Sequence, residues 1–234
     1  MTKGEQVKNK SKVHKLSLRG SSKLVAEFMN GCANYKKKFH YSINTILFQR
    51  GVYPAEDFTA VKKYGLTMLV SSDDQVKGYI KKIMSQLDKW MIGNKISKMV
   101  LVITSKDTGE HLERWQFDVH IPANVRGEKD FNSKPYNEND INNSFAPIEK
   151  TESEIQSEIQ SIFRQITASV TFLPELPGDC TFNILVYANM DSDVPIEWED
   201  SDAKEIKNGE RVQLRSFSTA NHKVDTLVSY RLAD

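Results

Sequence analysis

The sequence predicts an α+β fold, in which three helices lie on one face of a mainly antiparallel sheet. Three segments carry apolar residues at helical spacing, and about six segments carry the short apolar or alternating patterns of β-strands. The strand patterns cluster after the second helical segment and again after the third. This grouping is typical of helices segregated to one side of an antiparallel sheet, rather than of alternating β-α units. With 234 residues, the chain has the size of one domain.

The best-marked helix lies within residues 151–174. Thr151 and Glu154 have the spacing of a capping box, and Pro174 stops the helix. The apolar residues that share one face of it are Ile155, Ile159, Ile162, Phe163, Ile166 and Val170. This face predicts the spine of the core. Arg164 falls nearly opposite, where an arginine is either a solvated charge or the anchor of an interface.

The first helical region is interrupted by residues 31–40, GCANYKKKFH, which join the helix-like halves SSKLVAEFMN and YSINTILFQRG. One unbroken helix would place Lys36 on the apolar face and would be about 40 Å long. The residues that this helix would add to the face of Val25 and Phe28 are Cys32, Phe39, Ile43, Ile46 and Leu47. Because that length is large for a compact domain, we predict an extruded or distorted insert at residues 31–40.

The second helix is predicted to begin with a capping box at Ser72 and Gln75 and to end at Gly93. Its apolar face is formed by Val76, Ile80, Ile83, Leu87 and Trp90. A short strand over Leu66, Met68 and Val70 precedes it.

Two strands follow the second helix. The run KMVLVIT, residues 98–104, has the continuous apolar pattern of a strand covered on both faces. Residues 115–121 alternate between apolar and polar, which predicts a half-buried strand that pairs antiparallel with the first. Residues 123–150 are rich in asparagine and charge and predict a flexible loop.

The C-terminal part predicts three strands, at residues 181–188, residues 211–219, and a third whose inner face is Val224, Thr226, Val228, Tyr230 and Leu232. Between the first two lies an acidic, turn-rich segment that contains Val194, Ile196 and Trp198. These three side chains either pin the segment to the domain or cover a ligand. At the other end of the chain, residues 1–15 predict a flexible tail. Leu16 and Leu18 then predict a short strand or a tether.

Composition and charge exclude several function classes. Lysine plus arginine total 32 against 31 acids, a net charge of +1, so neither nucleic acid nor an anionic membrane is an expected partner. The sequence contains neither an apolar run of membrane-spanning length nor an apolar segment typical of a signal peptide. The two cysteines give no disulfide framework. A soluble, intracellular protein is expected.

Catalytic patterns are lacking as well. The sequence has no Gly-rich phosphate loop and no Gly-x-Ser-x-Gly elbow. The histidines, none of which has metal-ligand spacing, are His14, His40, His111, His120 and His222. Cys180 begins an apolar strand and reads as a small buried residue. The acids, which lack the pattern of a calcium loop, are Glu197, Glu199, Asp200 and Asp202. We therefore predict no catalytic residue, metal or cofactor, and favour a binding module over an enzyme.

Several blocks make the family recognisable, namely ILFQRGVYPAEDF, KKYGLTMLV, LERWQFDV, RQITASVTFLP, CTFNILVYA, VPIEW and LRSFSTANHKV. In collinear order from about Leu16 to Tyr230, they resemble the HORMA-domain family and, within it, its spindle-checkpoint branch. The resemblance departs at residues 31–40, where family members run directly into the equivalent of YSINTILFQRG. Either an inserted segment or a retained intron would produce this, and a mass spectrum of the native protein distinguishes the two. The loop at residues 123–150 is the other departure.

The resemblance implies a HORMA domain over residues 16–234, with a mobile C-terminal region at residues 189–234. In the open form of such proteins the C-terminal strands occupy one edge of the sheet. In the closed form they move to the opposite side, a partner peptide adds as a strand, and a segment passes over it like a safety belt. The residues expected to bind the peptide are Ile184, Val186, Tyr187, Val194, Ile196 and Trp198. The acidic segment around Trp198 would favour basic peptides.

The family also dimerises, open form with closed form, through the outer side of the third helix. The residues that match this surface are Arg164, Gln165, Thr171 and Phe172. For Arg164, the resemblance agrees with its helical position away from the core.

The function implied is that of a spindle assembly checkpoint adaptor, which sequesters the coactivator of the anaphase-promoting ubiquitin ligase and delays anaphase. The implied partners are that coactivator, a kinetochore-bound coiled-coil checkpoint receptor, members of checkpoint kinase-related complexes, and a second copy of the chain. The implied locations are the nucleus and kinetochore, with the cytoplasm and spindle. A HORMA adaptor of translesion DNA synthesis or of the meiotic chromosome axis is the alternative, and an enzyme that uses His120 or His222 is a third. The LERWQFDV and LRSFSTANHKV blocks favour the checkpoint.

Overall fold

A computed structural model describes residues 13–18, 33–93, 95–120, 151–218 and 223–232 of the chain. Within these residues, the three α-helices are α1 (Ala33–Gln49), α2 (Asp74–Ile92) and α3 (Glu152–Ser169). The strands are β1 (Val13–Leu18), β2 (Phe58–Lys63), β3 (Leu66–Ser71), β4 (Ile96–Ser105), β5 (His111–His120), β6 (Cys180–Asn189), β7 (Trp198–Asp200), β8 (Glu210–Gln213), β9 (Phe217–Ser218) and β10 (Lys223–Tyr230). A 3-10 turn, Ala55–Asp57, precedes β2. The predicted α+β class is confirmed.

The main sheet has the order β7-β1-β6-β4-β5-β10-β8, with β9 also paired to β10. Each of these pairs is antiparallel. The hairpin β2-β3 forms a separate small sheet. The central strand β4 is buried on both faces, as its apolar run predicts, since its residues from Met99 to Ile103 have no exposed surface. The C-terminal strand β10 pairs with β5, on the side of the sheet away from β6.

Helix α3 has the predicted cap and core face. The Thr151 hydroxyl accepts a hydrogen bond from the Glu154 amide, and the Thr151 amide donates to the Glu154 carboxylate. The buried side chains of the helix are Ile159, Ile162, Phe163 and Ile166. The prediction was wrong for Val170, which is 37% exposed because the helix ends at Ser169 and the chain turns away. The side chain of Ile155 lies outside the described residues.

Helix α1 corrects the prediction of an extruded insert. Residues 33–40 are helical and continue without a break into the segment that ends at Gln49. The buried apolar face of this helix consists of Phe39, Ile43, Ile46 and Leu47. Phe39 makes an edge-on contact with Phe117 of β5 at 5.8 Å between ring centroids. Packing against the sheet therefore favours the helix over an extrusion. Residues 19–32 lie outside the described residues.

The start of α2 also differs from the prediction. The cap is Asp73, whose carboxylate accepts a hydrogen bond from the Val76 amide at 2.8 Å, so the proposed box at Ser72 and Gln75 is wrong. Aspartate accepts this bond at least as well as serine does. The stop at Gly93 is confirmed, and the predicted apolar face, from Val76 to Trp90, is buried.

Three strand details were missed in the C-terminal half and before α2. The segment predicted as one strand at residues 211–219 is divided into β8 and β9. Leu232 follows the end of β10 and is 56% exposed, so it does not extend the inner face. Strand β2 was not predicted, although it forms a tight hairpin with β3 through Tyr64 and Gly65, both with positive φ. Ile121, Thr219 and the loop at residues 123–150 lie outside the described residues.

A buried ion pair joins three parts of the core. Arg50, at the end of α1, contacts Glu113 of β5 at 2.5 Å, and both side chains are almost fully buried. The Arg50 guanidinium also donates to the Pro174 carbonyl, and the Trp115 indole donates to Glu113 at 3.1 Å. Burial raises the pKa of Glu113, while Arg50 opposes that shift. The pair holds α1, β5 and the segment after α3 in one arrangement.

Candidate peptide-binding site

The edge of β6 is covered by an extended strand of the same chain. Strand β1 pairs antiparallel with β6 from Val13 opposite Asn189 to Ser17 opposite Leu185. On its other side β1 pairs with β7, where Leu16 lies opposite Asp200. The Leu16 side chain is 2% exposed and belongs to the main core. An extended segment of about six residues therefore fits between β6 and β7 with both of its backbone edges paired.

Residues 190–209 connect β6 to β8, and we call them the belt. The belt contains β7, and its course carries the chain from the β6 edge of the sheet to the β8 edge. Because β7 lies outside β1, the belt holds β1 against β6. This enclosed strand site is the candidate functional site.

The first anchor of the belt is Trp198. Its side chain is 6% exposed and contacts the ring of Trp90 of α2 at 4.9 Å between centroids. The Trp90 indole in turn donates to the Asp193 carbonyl at 2.9 Å. Aromatic contacts of this kind contribute about 0.5–1.5 kcal/mol beyond the area they bury. Trp198 thus fixes the belt to the helical layer, in agreement with the prediction that this side chain pins the segment to the domain.

The second anchor is Arg114 of β5, which was not predicted from the sequence. Its guanidinium donates to the Ala203 carbonyl at 3.2 Å and to the Tyr187 hydroxyl at 3.3 Å. Arg114 is 5% exposed, although its position in the alternating pattern predicts a polar, outward face. The belt covers this face of the sheet, so only the tertiary arrangement explains the burial. No signal in the sequence marks the contact.

The residues predicted to bind a peptide occupy different positions. Ile184 and Val186 are fully buried in the core beneath the helices, so β6 presents its backbone rather than these side chains to β1. Tyr187 lies on the other face, in a cluster with Val100, Val102 and Leu185 that Val13 contacts. Their role toward a partner stays a prediction.

The belt residues that were predicted to bind a peptide differ in their burial. Val194 is half-buried and packs against the main core. Ile196 is 86% exposed, and its predicted apolar contact with a partner peptide stays a prediction. The turn that brings Trp198 inward, with the Trp198 amide donating to the Pro195 carbonyl, leaves Ile196 on the outside.

Polar contacts also join β1 to the belt. The imidazole of His14 in β1 lies 3.6 Å from the carboxylate of Asp200 in β7. The Ser201 amide donates to the Lys15 carbonyl at 2.8 Å. Glu197 and Glu199 are exposed on the same segment. His14 and Lys15 of β1 therefore belong to a strand that pairs with an acidic belt.

The predicted dimerisation residues lie at and after the end of α3. Arg164 is exposed and contacts Gln160 of its own helix at 3.4 Å. Gln165 accepts a hydrogen bond from the Arg215 amide at 2.7 Å, and Phe172, 41% exposed, contacts Tyr230 at 6.3 Å between ring centroids. Thr171 is exposed. A groove of about 320 Å³ lies beside Arg164, between α3, α1 and β3. The surface is accessible, and its use in dimerisation stays a prediction.

In the described part of the chain, the side chains that could act in catalysis or metal binding are not grouped at one site. His120 contacts Asp225 at 2.9 Å, and His111 contacts Thr104 at 3.0 Å, on the sheet surface. Cys180 is buried, which raises the pKa of its thiol. In the part of the chain that the structure describes, no cluster of histidine, cysteine or acid side chains is arranged to hold a metal, and no helix has the length and apolarity to cross a membrane. His222 and Cys32 lie outside that part.

Comparison with known proteins agrees with this architecture. The sequence model of the HORMA-domain family matches residues 34–222 of this chain. The chain is 53% identical over 218 residues to the mitotic spindle checkpoint component mad2 of Schizosaccharomyces pombe, covering 92% of this chain and 94% of that protein. It is 42% identical over 217 residues to the human mitotic spindle assembly checkpoint protein MAD2A, covering 93% of each chain.

Solved structures give the same result. A chain in the crystal structure of the mitotic checkpoint complex matches with a TM-score of 0.72 at 52% identity, over 86% of this chain and 98% of that chain. The structure of C. elegans HTP-2 bound to HTP-3 closure motif 1 matches with a TM-score of 0.64 at 12% identity, over 84% of each chain, which shows a shared fold. From the family match over most of the chain and these close relatives, we conclude that the chain belongs to the HORMA-domain family.

Proposed function

We propose that the chain is a spindle assembly checkpoint adaptor, which binds a partner peptide as a strand on β6 beneath the belt and sequesters the coactivator of the anaphase-promoting ubiquitin ligase. The observation that carries the proposal is the pairing of an extended strand with β6 and β7 at once. Addition of a strand to a sheet edge is a common mode of peptide recognition. Relatives named as spindle checkpoint proteins, 42–53% identical, favour this reading over the meiotic and DNA-synthesis adaptors.

The proposal includes the conformational state. Strand β10 lies on β5 and the belt lies at the β6 edge. This is the arrangement that the family resemblance assigns to the closed form, and we propose that the structure is that form. The open form would place the C-terminal strands on the opposite edge, and two packings of one sequence must differ by only a few kcal/mol to interconvert.

The further partners are a kinetochore-bound coiled-coil checkpoint receptor, members of checkpoint kinase-related complexes and a second copy of the chain. The proposed locations are the kinetochore and nucleus, with the cytoplasm and spindle. The proposed function requires no catalytic step, because the protein acts only by binding and releasing its partner.

Depletion in dividing cells tests the function. Cells that lack the protein should enter anaphase in the presence of a microtubule poison, and re-expression of the chain should restore the arrest and recover the coactivator by immunoprecipitation. An arrest that persists without the protein, with recovery of meiotic-axis or DNA-polymerase components instead, would establish one of the alternative adaptors.

Neutralising the belt acids should weaken binding of basic peptides. Amide replacements are made at Glu197, Glu199, Asp200 and Asp202 together. Because exposed charges each contribute about 0.2–1 kcal/mol, we expect a several-fold loss of affinity at low salt that disappears as salt screens it. Fluorescence anisotropy with a labelled basic peptide at several salt concentrations measures both quantities.

The matched control replaces four exposed acids outside the belt, Glu56, Asp107, Glu175 and Glu210, by their amides. This control should bind the peptide as the unaltered chain does. Equal losses in both variants would show a general charge effect and contradict a role for the belt acids.

Arg164→Ala should weaken self-association and leave the fold intact. The side chain is exposed, and its contact with Gln160 is long at 3.4 Å, so its removal costs little stability. Sedimentation velocity should show a shift from dimer toward monomer, while the melting curve stays unchanged. Lys81→Ala on the exposed side of α2 is the control. An unaltered dimer, or a collapsed fold, would count against the proposal.

A further inference from the structure

The strand that fills the closure site belongs to this chain. Strand β1 takes up the β6 edge over residues 13–17 and is itself covered by β7. The Ser201 amide, which follows β7, is bonded to the Lys15 carbonyl. A partner peptide that paired with β6 under the belt would need the same backbone groups, so β1 and such a peptide exclude each other.

The side chains of β1 fit the site as a bound peptide would. Leu16 is buried to 2% exposure in the main core, and Ser17 to 6%. Val13 packs against the cluster on the opposite face, which includes Tyr187. His14 lies beside Asp200 of the belt. Backbone, apolar and polar side-chain contacts thus all involve the same short segment.

We propose that residues 13–18 are the resident occupant of the closure site and that a partner peptide must displace them to bind. The inference rests on the proposed function, since it takes the β6 edge as the site of partner peptides. Because the segment is tethered to the domain, it competes at an effective concentration on the order of millimolar. The apparent affinity of a partner then equals its intrinsic affinity multiplied by the fraction of chains in which the site is free.

Displacement also defines the chemistry of an effective competitor. It must pair along β6, place an apolar side chain where Leu16 lies and a small one where Ser17 lies, and carry basic residues beside the belt acids. The N-terminal segment therefore acts as an autoinhibitory strand that sets a threshold for partner binding.

A variant and its control test the competition. Leu16→Glu removes the buried anchor of β1, whereas Leu232→Glu changes a leucine that is 56% exposed. The probe is a fluorescein-labelled peptide with the sequence of residues 11–20, SKVHKLSLRG. We expect Leu16→Glu to bind the probe at least tenfold more tightly than the unaltered chain or Leu232→Glu, and a probe with glutamate in place of the leucine that corresponds to Leu16 not to bind. Equal binding of the probe by all three chains would overturn the inference and leave the proposed function standing.

Hydrogen exchange on the unaltered full chain tests the inference without a variant. In the absence of a partner, the amides of residues 13–18 that donate to β6 or β7 should be protected. Excess probe should release these amides while the β6 amides stay protected. Exchange of residues 13–18 at unfolded rates would overturn the inference. Failure of the probe to bind even Leu16→Glu, while residues 13–18 are protected, would instead contradict the proposed peptide site.

Discussion

Trp198→Ala should abolish tight peptide binding. The side chain is 6% exposed and anchors the belt on Trp90, so its removal leaves a cavity and frees the segment that covers the bound strand. Truncation of a buried tryptophan costs about 3–5 kcal/mol. When this loss destabilises the state in which the belt covers the bound strand, peptide affinity should drop by about 100-fold or more, mainly through faster dissociation. Stopped-flow dissociation of a labelled peptide measures the effect.

Ile196→Ala is the matched control for Trp198→Ala. It removes an apolar side chain from the same segment, but one that is 86% exposed, so it should change affinity by less than about twofold. If the two variants release the peptide at the same rate, Trp198 is not the anchor of the belt. If Ile196→Ala alone weakens binding, Ile196 contacts the partner, as the sequence prediction held.

Arg50→Met should lower the free energy of unfolding by about 3–5 kcal/mol, the cost of leaving one member of a buried ion pair unpaired. Glu113 would then be buried without a cation, and the Pro174 carbonyl would lose its donor. For a domain of this size the melting temperature should fall on the order of 10 °C. Arg211→Ala, which removes an exposed ion pair to Glu205, is the control and should cost less than about 1 kcal/mol.

The double variant Arg50→Met with Glu113→Leu distinguishes pairing from packing. When both charges are replaced by apolar side chains, no uncompensated charge remains, so much of the stability should return. Denaturant unfolding of the two single variants and the double variant gives the coupling energy. Additive losses would show that the two side chains act independently and contradict the role of the pair.

The Arg50→Met variant should also be more pH-dependent than the unaltered chain. Burial raises the pKa of Glu113, and without Arg50 only the weaker hydrogen bond from the Trp115 indole opposes the shift. A carboxyl whose pKa is raised on folding contributes stability below its unfolded pKa, and this stability is lost as pH rises through the folded pKa. The stability gap to the unaltered chain should therefore be smallest near pH 4 and widen toward pH 7. A constant gap would mean that Glu113 does not titrate in the variant.

Glu113 illustrates a signal that the sequence contained. Glu113 lies on the same face of the strand as Trp115 and Phe117, because the three residues are two positions apart. The pattern therefore places a carboxylate on the buried face, where it needs a cation as a partner. The partner, Arg50, lies 63 positions away. No periodicity connects the two positions, and only the packing of α1 on β5 brings them together.

The sequence by itself determined the elements that local chemistry specifies. The capping box at Thr151, the apolar face of α2, most of the apolar face of α3 and the continuous apolar run within β4 were predicted because the residue pattern reflects which side is buried. The blocks of residues also identified the HORMA family, which the comparisons confirm. For residues 33–40, periodicity allowed two conformations, and packing of Phe39 against Phe117 accounts for the helix.

Only the tertiary structure decided how the belt is used. Trp198 turns inward while Ile196, two residues earlier, points to solvent, because the belt is fixed by contacts to Trp90 and Arg114 on distant elements. The position of β1 has the same cause. A short alternating segment can pair with any free edge, and its place between β6 and β7 depends on strand pairings that are remote in sequence.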